Sequence, residues 1–393
     1  MNRRTFLQRA NMTAMSLAAG GGLLGCVKRP IGAAIAAGAL PLNLPETACS
    51  LPRVRVSVER EIRTVVGLRP FRPSGFRVAR EMVGETTVVH NYGHGGGGIT
   101  LSWGTSKLAT DLGLPGHVGP VAVLGCGAVG LATARLVQEA GFEVTIYAKA
   151  LPPETTSNIA GGQWLPVTVY DHDKALTPEF TAQFVAAAQY GYRRYQIMTD
   201  PKYGIRWMRN YTLSDTPWDS PIDAGVRGLI HDMLPEIKDL PSGSHAFAGK
   251  YARQFDGMLV EPPIYLPAML TEVRIAGGLV VVREMKSLDE VRALPEKLVF
   301  NCTGLGAKAL FGDEEMTPIR GQLTILLPQP EVTYATVYED TYMFSRRDGV
   351  VLGGTHEMGD WNLQPDLATK AAILAKQAKL FDGMRDCKGP AVA

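Results

Sequence analysis

The chain has 393 residues, 46% of them apolar and 20% charged, with Lys+Arg 40 against Asp+Glu 38. This supports two to three cored domains, excludes a disordered chain, and at a net charge of +2 lacks the basic excess of a dedicated nucleic-acid binder. Glycine is plentiful at 43 residues and clustered, as around phosphates and flat cofactors, while five cysteines at irregular spacing give neither a disulfide framework nor metal-ligand pairs.

Residues 1–26 read as an address label rather than fold. Asn2-Arg3-Arg4-Thr5-Phe6-Leu7 sets paired arginines ahead of a weakly apolar stretch, Ala10 to Gly25. The pattern resembles a twin-arginine export signal, and Leu23-Leu24-Gly25-Cys26 resembles a bacterial lipobox. The expectation is export by that route, lipidation of Cys26, and a periplasmic or cell-surface protein associated with the membrane through acyl chains. The apolar stretch is shorter than the ~20 residues that span a bilayer. Residues 27–52, rich in Pro, Gly and Ala, read as a tether.

Further along, His90-Asn91-Tyr92-Gly93-His94 leads into four glycines, Gly95 to Gly98, and then an amphipathic run with Ile99, Trp103, Leu108 and Leu112 at helical spacing. Glycines let backbone lie against a flat ring, and the helix start at Gly98-Ile99-Thr100 would aim its dipole at the ring. His90 and His94 are four apart across glycines, which is not a helical metal pair; we expect no metal and assign them to packing and hydrogen bonding. Val121–Leu124 predicts a buried strand, Gly125-Cys126-Gly127-Ala128-Val129-Gly130 is GxGxxG, and Val129, Ala132, Leu136 and Ala140 stripe one helix face before Gly141. A second strand, Glu143 to Ala148, completes a dinucleotide-binding βαβ unit. Gly125 makes the turn, Gly127 lets a pyrophosphate approach, Gly130 lets helix and strand pack, and the free N–H groups from Ala128 onward face the phosphates.

After the second strand a carboxylate usually meets the ribose; here stands Lys149, which suits a 2′-phosphate, so on this feature alone an NADP enzyme stays open. The next segments favour flavin. Thr155-Thr156-Ser157 and Gly161-Gly162-Gln163 pack hydroxyls and small residues into one loop, and the apolar run Leu298-Val299-Phe300 ends in Asn301-Cys302-Thr303-Gly304, similar to the strand that closes the FAD site in many flavoproteins.

Taken together, HNYGHGGGGITLSWG at 90–104, the GxGxxG unit with TTSNIAGGQW, PIRGQ at 318–322, Thr341-Tyr342, the segment Asp348 to Thr355, Gly359-Asp360-Trp361-Asn362 and GLRPFRP at 67–73 resemble the D-amino-acid oxidase family of FAD enzymes. The likeness spans most of residues 58–390. In that family the GLRPFRP and HNYGHGG stretches follow the GDWN segment, whereas here they precede the nucleotide motif, so the chain looks circularly permuted. The implied fold is α/β: a Rossmann-type FAD domain (70–170 and 255–312) interleaved with a mixed-sheet α+β substrate domain (53–69, 171–254 and 313–393).

The resemblance also implies roles. Arg69 matches the arginine that pairs with the substrate carboxylate, a task suited to its planar fork, and Pro70 would hold it in extended backbone. Tyr342 would donate to the carboxylate, Tyr338 would line or close the pocket, and the Gly96 carbonyl would orient the amine. Four residues apart on one strand, the two tyrosine rings would face the same side. The reaction implied is hydride transfer from Cα to flavin, hydrolysis of the imine to a 2-oxo acid and ammonia, and reoxidation by O₂ to H₂O₂. The alternative is a dehydrogenase of glycine, N-methyl or other amines with a quinone acceptor. Lys149 departs from the family at the ribose contact, and Gly97 stands where relatives often carry a larger residue.

Overall fold

A computed structural model describes residues 48–222 and 225–387, all within the compact unit Asn43–Ala393. The export segment and Cys26 lie outside the described residues. Two sheets organise these residues. The smaller has the order β2 (Arg77–Val83), β3 (Thr86–Tyr92), β10 (Leu298–Asn301), β4 (Val121–Leu124), β5 (Val144–Ala148), β9 (Leu279–Val282). From β3 to β9 every pairing is parallel, and β2 adds an antiparallel edge. The all-apolar β4 is buried throughout, as a central parallel strand must be.

Helices α1 (Gly98–Gly113) and α2 (Ala128–Glu139) pack on this sheet. Gly141, at φ +90°, ends the turn that follows α2. The sequence predicted a one-sided stripe for α1, but Thr100, Leu101, Ser102, Gly104, Thr105 and Ser106 are buried as well. The reason is α3 (Pro178–Ile197), which covers its other side. A Cβ at Gly104 would stand 1.9 Å from the Ala187 carbonyl oxygen, so the two helix backbones touch there. Buried Ser106 of α1 is satisfied by its neighbours: Asn91 Nδ2 of β3 donates to Ser106 Oγ (3.2 Å) and to Thr133 Oγ1 of α2 (3.3 Å), and the two hydroxyls lie 2.8 Å apart.

The larger sheet runs β1 (Glu61–Phe71), β11 (Thr317–Leu326), β14 (Gly349–Gly353), β13 (Thr341–Arg346), β12 (Tyr334–Tyr338), β6 (Ile205–Ser214), β8 (Tyr251–Val260), β7 (Lys238–Leu240), with β15 (Glu357–Met358) beside β11. It is antiparallel except for the β12–β6 pair. Helix α4 (Pro262–Ile275) leaves β8 towards the nucleotide side, a short helix α5 (Gly306–Phe311) follows β10, and α6 (Leu367–Asp382) lies on the outer face of the large sheet. Among the described residues no helix is long and apolar enough to cross a membrane.

Five expectations are corrected. The boundary at 69/70 falls inside β1, and the one at 254/255 falls inside β8, because each strand carries its hydrogen-bonded pairing past those positions. Cys49 and Leu51, assigned to the tether, are buried, Leu51 against the core of the large sheet. The cysteines do contain one disulfide, Cys49–Cys387, across 338 residues of sequence. Tyr338 and Tyr342 lie on two strands of a hairpin rather than on one, since the chain turns at Glu339, φ +53°.

Candidate active site

The hairpin decides which tyrosine faces the site. Val337 is opposite Tyr342, so Tyr338, one residue on, points through the other face of the sheet. There its hydroxyl donates to Asp215 Oδ2 and accepts from Lys250 Nζ, both at 2.9 Å. Tyr342 stacks on Phe344 at 4.6 Å between ring centroids. Burial raises the Tyr342 phenol above its usual range while the Arg69 guanidinium beside it pulls down, leaving a protonated donor at neutral pH.

Arg69 reaches across β11. Its Nη1 donates to the carbonyls of Thr355 (2.9 Å) and Arg320 (3.4 Å). Glycines give it and Tyr342 their room. A Cβ at Gly321 would stand 2.5 Å from Arg69 Nη1, one at Gly353 would stand 2.4 Å from Tyr342 Cζ, and one at Gly161 would stand 2.6 Å from Phe344. The loop carrying Gly161 thus meets the same face of the large sheet as Arg69 and Tyr342, and Ile159 packs on Gly67 of β1.

Several features of that loop were not legible in the sequence. Buried Arg346 holds it, donating to the Ala160 carbonyl at 2.9 Å while forked on Asp348 with two 2.8 Å bonds. Gln163 bridges to β8 and donates to Asn210 Oδ1 at 2.8 Å. Gly162, at φ +100°, turns the chain so that its carbonyl accepts from Val260 N–H. Arg346 sits in a plain turn sequence, Arg-Arg-Asp-Gly, with no signal that one arginine points inward. His356, which follows Thr355, also went unmarked; burial and the Arg69 charge hold its imidazole below the usual range.

At the nucleotide end, Gly125 has φ +105°, and a Cβ there would press within 2.5 Å of the Cys302 carbonyl, with Thr303 next to it. A Cβ at Gly130 would stand 2.1 Å from the Gly125 carbonyl oxygen, the close helix–strand packing that its position requires. In front of Gly127 stands only the Ser157 hydroxyl, which accepts from Ala128 N–H at 3.0 Å. The GxGxxG turn, Ser157 and Thr303 therefore converge, while Val129 is on the first turn of α2 and Thr155 Oγ1 is occupied with Asn158. Gly304, at φ +59°, touches Pro70, which carries the Arg69 end of β1 to the nucleotide crevice.

Of the other candidates, the glycine turn before α1 meets the strand that carries Arg69, a Cβ at Gly95 standing 3.2 Å from Phe71 of β1, and the rest lie elsewhere. Ile99 and Thr100 are buried against α3, where the Ile99 carbonyl accepts from Tyr195. Gly95 to Gly97 pack on Pro166–Val169, with Gly96 N–H donating to Thr168 O at 3.2 Å; Gly96 itself is exposed. Gly98 opens α1 behind them, and Thr156 opens the short helix that carries Ser157. Lys149 is exposed at the end of β5, 3.6 Å from Glu284. His94 is fully buried, hydrogen-bonded to Thr105 at 2.8 Å.

The family model described as FAD dependent oxidoreductase matches residues 32–112 and 120–391. The chain belongs to that family. A D-amino-acid oxidase of Rubrobacter xylanophilus is 31% identical over 280 residues, 68% of this chain and 78% of that protein. A human D-aspartate oxidase is 28% identical over 266 residues, covering 65% and 74%. Among solved structures, glycine oxidase from Geobacillus kaustophilus aligns with a TM-score of 0.53 at 13% identity, covering 68% of this chain and 80% of that one, a likeness of fold. The protein is an FAD-dependent enzyme. Its residues fit the cofactor: the GxGxxG turn at the start of α2, where only the small Ser157 hydroxyl stands before Gly127, and the Gly161–Gln163 loop would hold it.

Proposed function

We propose that the protein oxidises D-amino acids to 2-oxo acids, releasing ammonia and passing the electrons to O₂ as H₂O₂. The observation that carries this reading is the pairing of Arg69 and Tyr342 on the sheet face met by the flavin loop. Arg69 spends Nη1 on two carbonyls, which fixes the guanidinium plane and leaves its Nη2 edge for a carboxylate. Tyr342 supplies a second donor to the same group. The exposed Gly96 supplies an acceptor for the amine. Clamping both ends of an amino acid orients its Cα–H bond, and orientation of this kind contributes up to ~7–11 kcal/mol to such reactions. FAD, when bound, accepts the hydride and so carries the redox step.

The handedness rests on the resemblance to D-amino-acid and D-aspartate oxidases. Anaerobic mixing of the yellow protein with pooled D-amino acids, then L-amino acids, then glycine, tests it. Bleaching by the D pool alone is expected. Bleaching by glycine or N-methyl amines with the D pool inert would replace the substrate assignment, and an oxidised flavin throughout would remove it.

The same reading includes export and attachment through Cys26. The Cys49–Cys387 disulfide supports export, because such bonds persist in oxidising compartments. Circular permutation is supported by the 4.8 Å between the Cα atoms of those cysteines and by the two separate segments of the family match.

A further inference from the structure

A hydrogen-bonded chain at the ends of β3 and β10 plays no part in holding substrate. His90 and Asn301 are partners in the parallel register and both are fully buried. Thr303 sends its backbone N–H (3.2 Å) and its hydroxyl (2.7 Å) to Asn301 Oδ1. A backbone N–H only donates, so the amide oxygen must face Thr303 and the amide nitrogen must face His90 Nδ1, 3.0 Å away. An NH₂ group also only donates, so Nδ1 accepts and the neutral ring carries its proton on Nε2. Nε2 in turn lies 3.0 Å from Glu81 Oε1, off the axis of a hydrogen bond, and Glu81 reaches the surface on the edge strand β2. The chain therefore links solvent to Thr303, which stands against Gly125 of the nucleotide turn.

We propose that His90 is a positioning residue for the cofactor: neutral, it keeps Asn301 turned so that Thr303 is fixed beside the GxGxxG turn, and protonated, it releases Thr303 and loosens FAD. A proton on Nδ1 would set donor against donor. Asn301 then has to turn over, its NH₂ faces the Thr303 N–H, and a donor at the cofactor site loses its partner. The groups around the imidazole are Glu81 and Arg77 from β2, Tyr92 edge-on at 5.5 Å from β3, Asn301 from β10, Phe311 at 4.9 Å from α5, and Asp313 beyond it. Burial and the Arg77 charge outweigh the two carboxylates and lower the affinity for the proton, so the ring is neutral at pH 7 and charges on the acid side of the ordinary histidine range.

The test is release of FAD from the purified holoenzyme, read as flavin fluorescence after dilution across pH 4.5–8, with near-ultraviolet circular dichroism recorded on the same samples. The expected result is a rise in FAD dissociation of about tenfold or more at acid pH while the dichroism is retained. Glu81→Gln, at a surface position, should move that rise to lower pH, because it removes the anion that favours charged His90. Asn301→Asp should abolish the rise, since a carboxylate accepts from Nδ1–H and from Thr303 together. Release that coincides with unfolding, or a rise unmoved by Glu81→Gln, would overturn the proposal. Should Asn301→Asp not fold, His90→Asn replaces it: an amide that accepts from Asn301 without titrating has to flatten the profile, and a retained rise counts against the idea.

Discussion

In the proposed function Arg69 and Tyr342 act on a single anionic group, so on that reading their removal should be felt in substrate binding and not in FAD content. Charge-assisted hydrogen bonds contribute roughly 1.5–3 kcal/mol each, and loss of a two-bond fork from Arg69→Ala should lower kcat/KM by about 10²–10⁴-fold. Steady-state kinetics beside flavin absorbance checks this; turnover that survives the change moves the carboxylate site elsewhere. The two tyrosines should separate cleanly. Tyr342→Phe removes a buried donor and is expected to lower kcat/KM about tenfold, whereas Tyr338→Phe touches only Asp215 and Lys250 on the outer face and should leave it within about twofold. The family resemblance pointed to both tyrosines, but it did not give the side of the sheet that each faces. Strand alternation was applied across Glu339-Asp340, where the chain reverses, and a positive-φ glutamate gives no warning in sequence.

Among the elements, the strands of the large sheet make the site by omission of side chains. Gly321, Gly353 and Gly161 leave the volume that Arg69, Tyr342 and Phe344 fill. Gly321→Ala would press on the far end of a flexible arginine rather than on backbone, so the fold should persist while Arg69 swings off its carbonyl anchors. The expected outcome is a thermal midpoint close to the parent, with kcat/KM falling towards the Arg69→Ala value; an active variant would mean that the anchors do not set the fork. The turn before α1, where His94 is bonded to Thr105 of that helix, carries a pH dependence of its own. Burial pushes His94 down to about 3, against 6.5 when exposed, so the unfolded chain binds the extra proton between those values. Stability is therefore complete above about pH 6.5 and falls below it by ~1.4 kcal/mol per pH unit for this group. Urea unfolding at pH 7.5 and pH 5 reads the slope, and His94→Gln should reduce it even though it lowers stability at pH 7.5. The βαβ unit was readable because its glycines and its apolar period agree. The burial of α1 on several faces was not, since α3, which covers it, lies some eighty residues downstream.

For the molecule as a whole, the chain ends matter more than their composition suggested. Ala246 N–H donates to Ala48 O, Cys387 N–H to Cys49 O, and Leu51 and Val54 join Phe381 and Met384 in one apolar cluster, so residues 48–52 belong to the packed fold and not to a tether. Residues 48–52, Ala-Cys-Ser-Leu-Pro, carry no helix or strand period to set them off from residues 27–47, which is why the boundary was misread. A disulfide that closes so long a loop typically contributes about 2–5 kcal/mol, and Cys49→Ser with Cys387→Ser should lower the thermal midpoint in air to the value that the parent shows in reductant. The same adjacency makes the permutation testable by undoing it. Residues Leu114–Pro120 join α1 to β4 at the surface: Val118 is 90% exposed, and nothing lies within 4 Å of a Cβ at Gly116 or Gly119. A chain that begins at Val118, runs to Cys387, returns through a short linker to Cys49 and ends at Gly116 would carry its motifs in the order of the family it resembles, with the nucleotide turn first. No strand pairing is cut at the new ends, where the packing of His117 on Phe142 is lost, and the Cα atoms of Cys49 and Cys387 are already 4.8 Å apart, a geometry in which permutation is tolerated. It should fold, bind FAD and unfold within a few degrees of the parent. An aggregated or colourless product would show that residues 114–120 are needed intact, and the permuted reading would lose its physical basis.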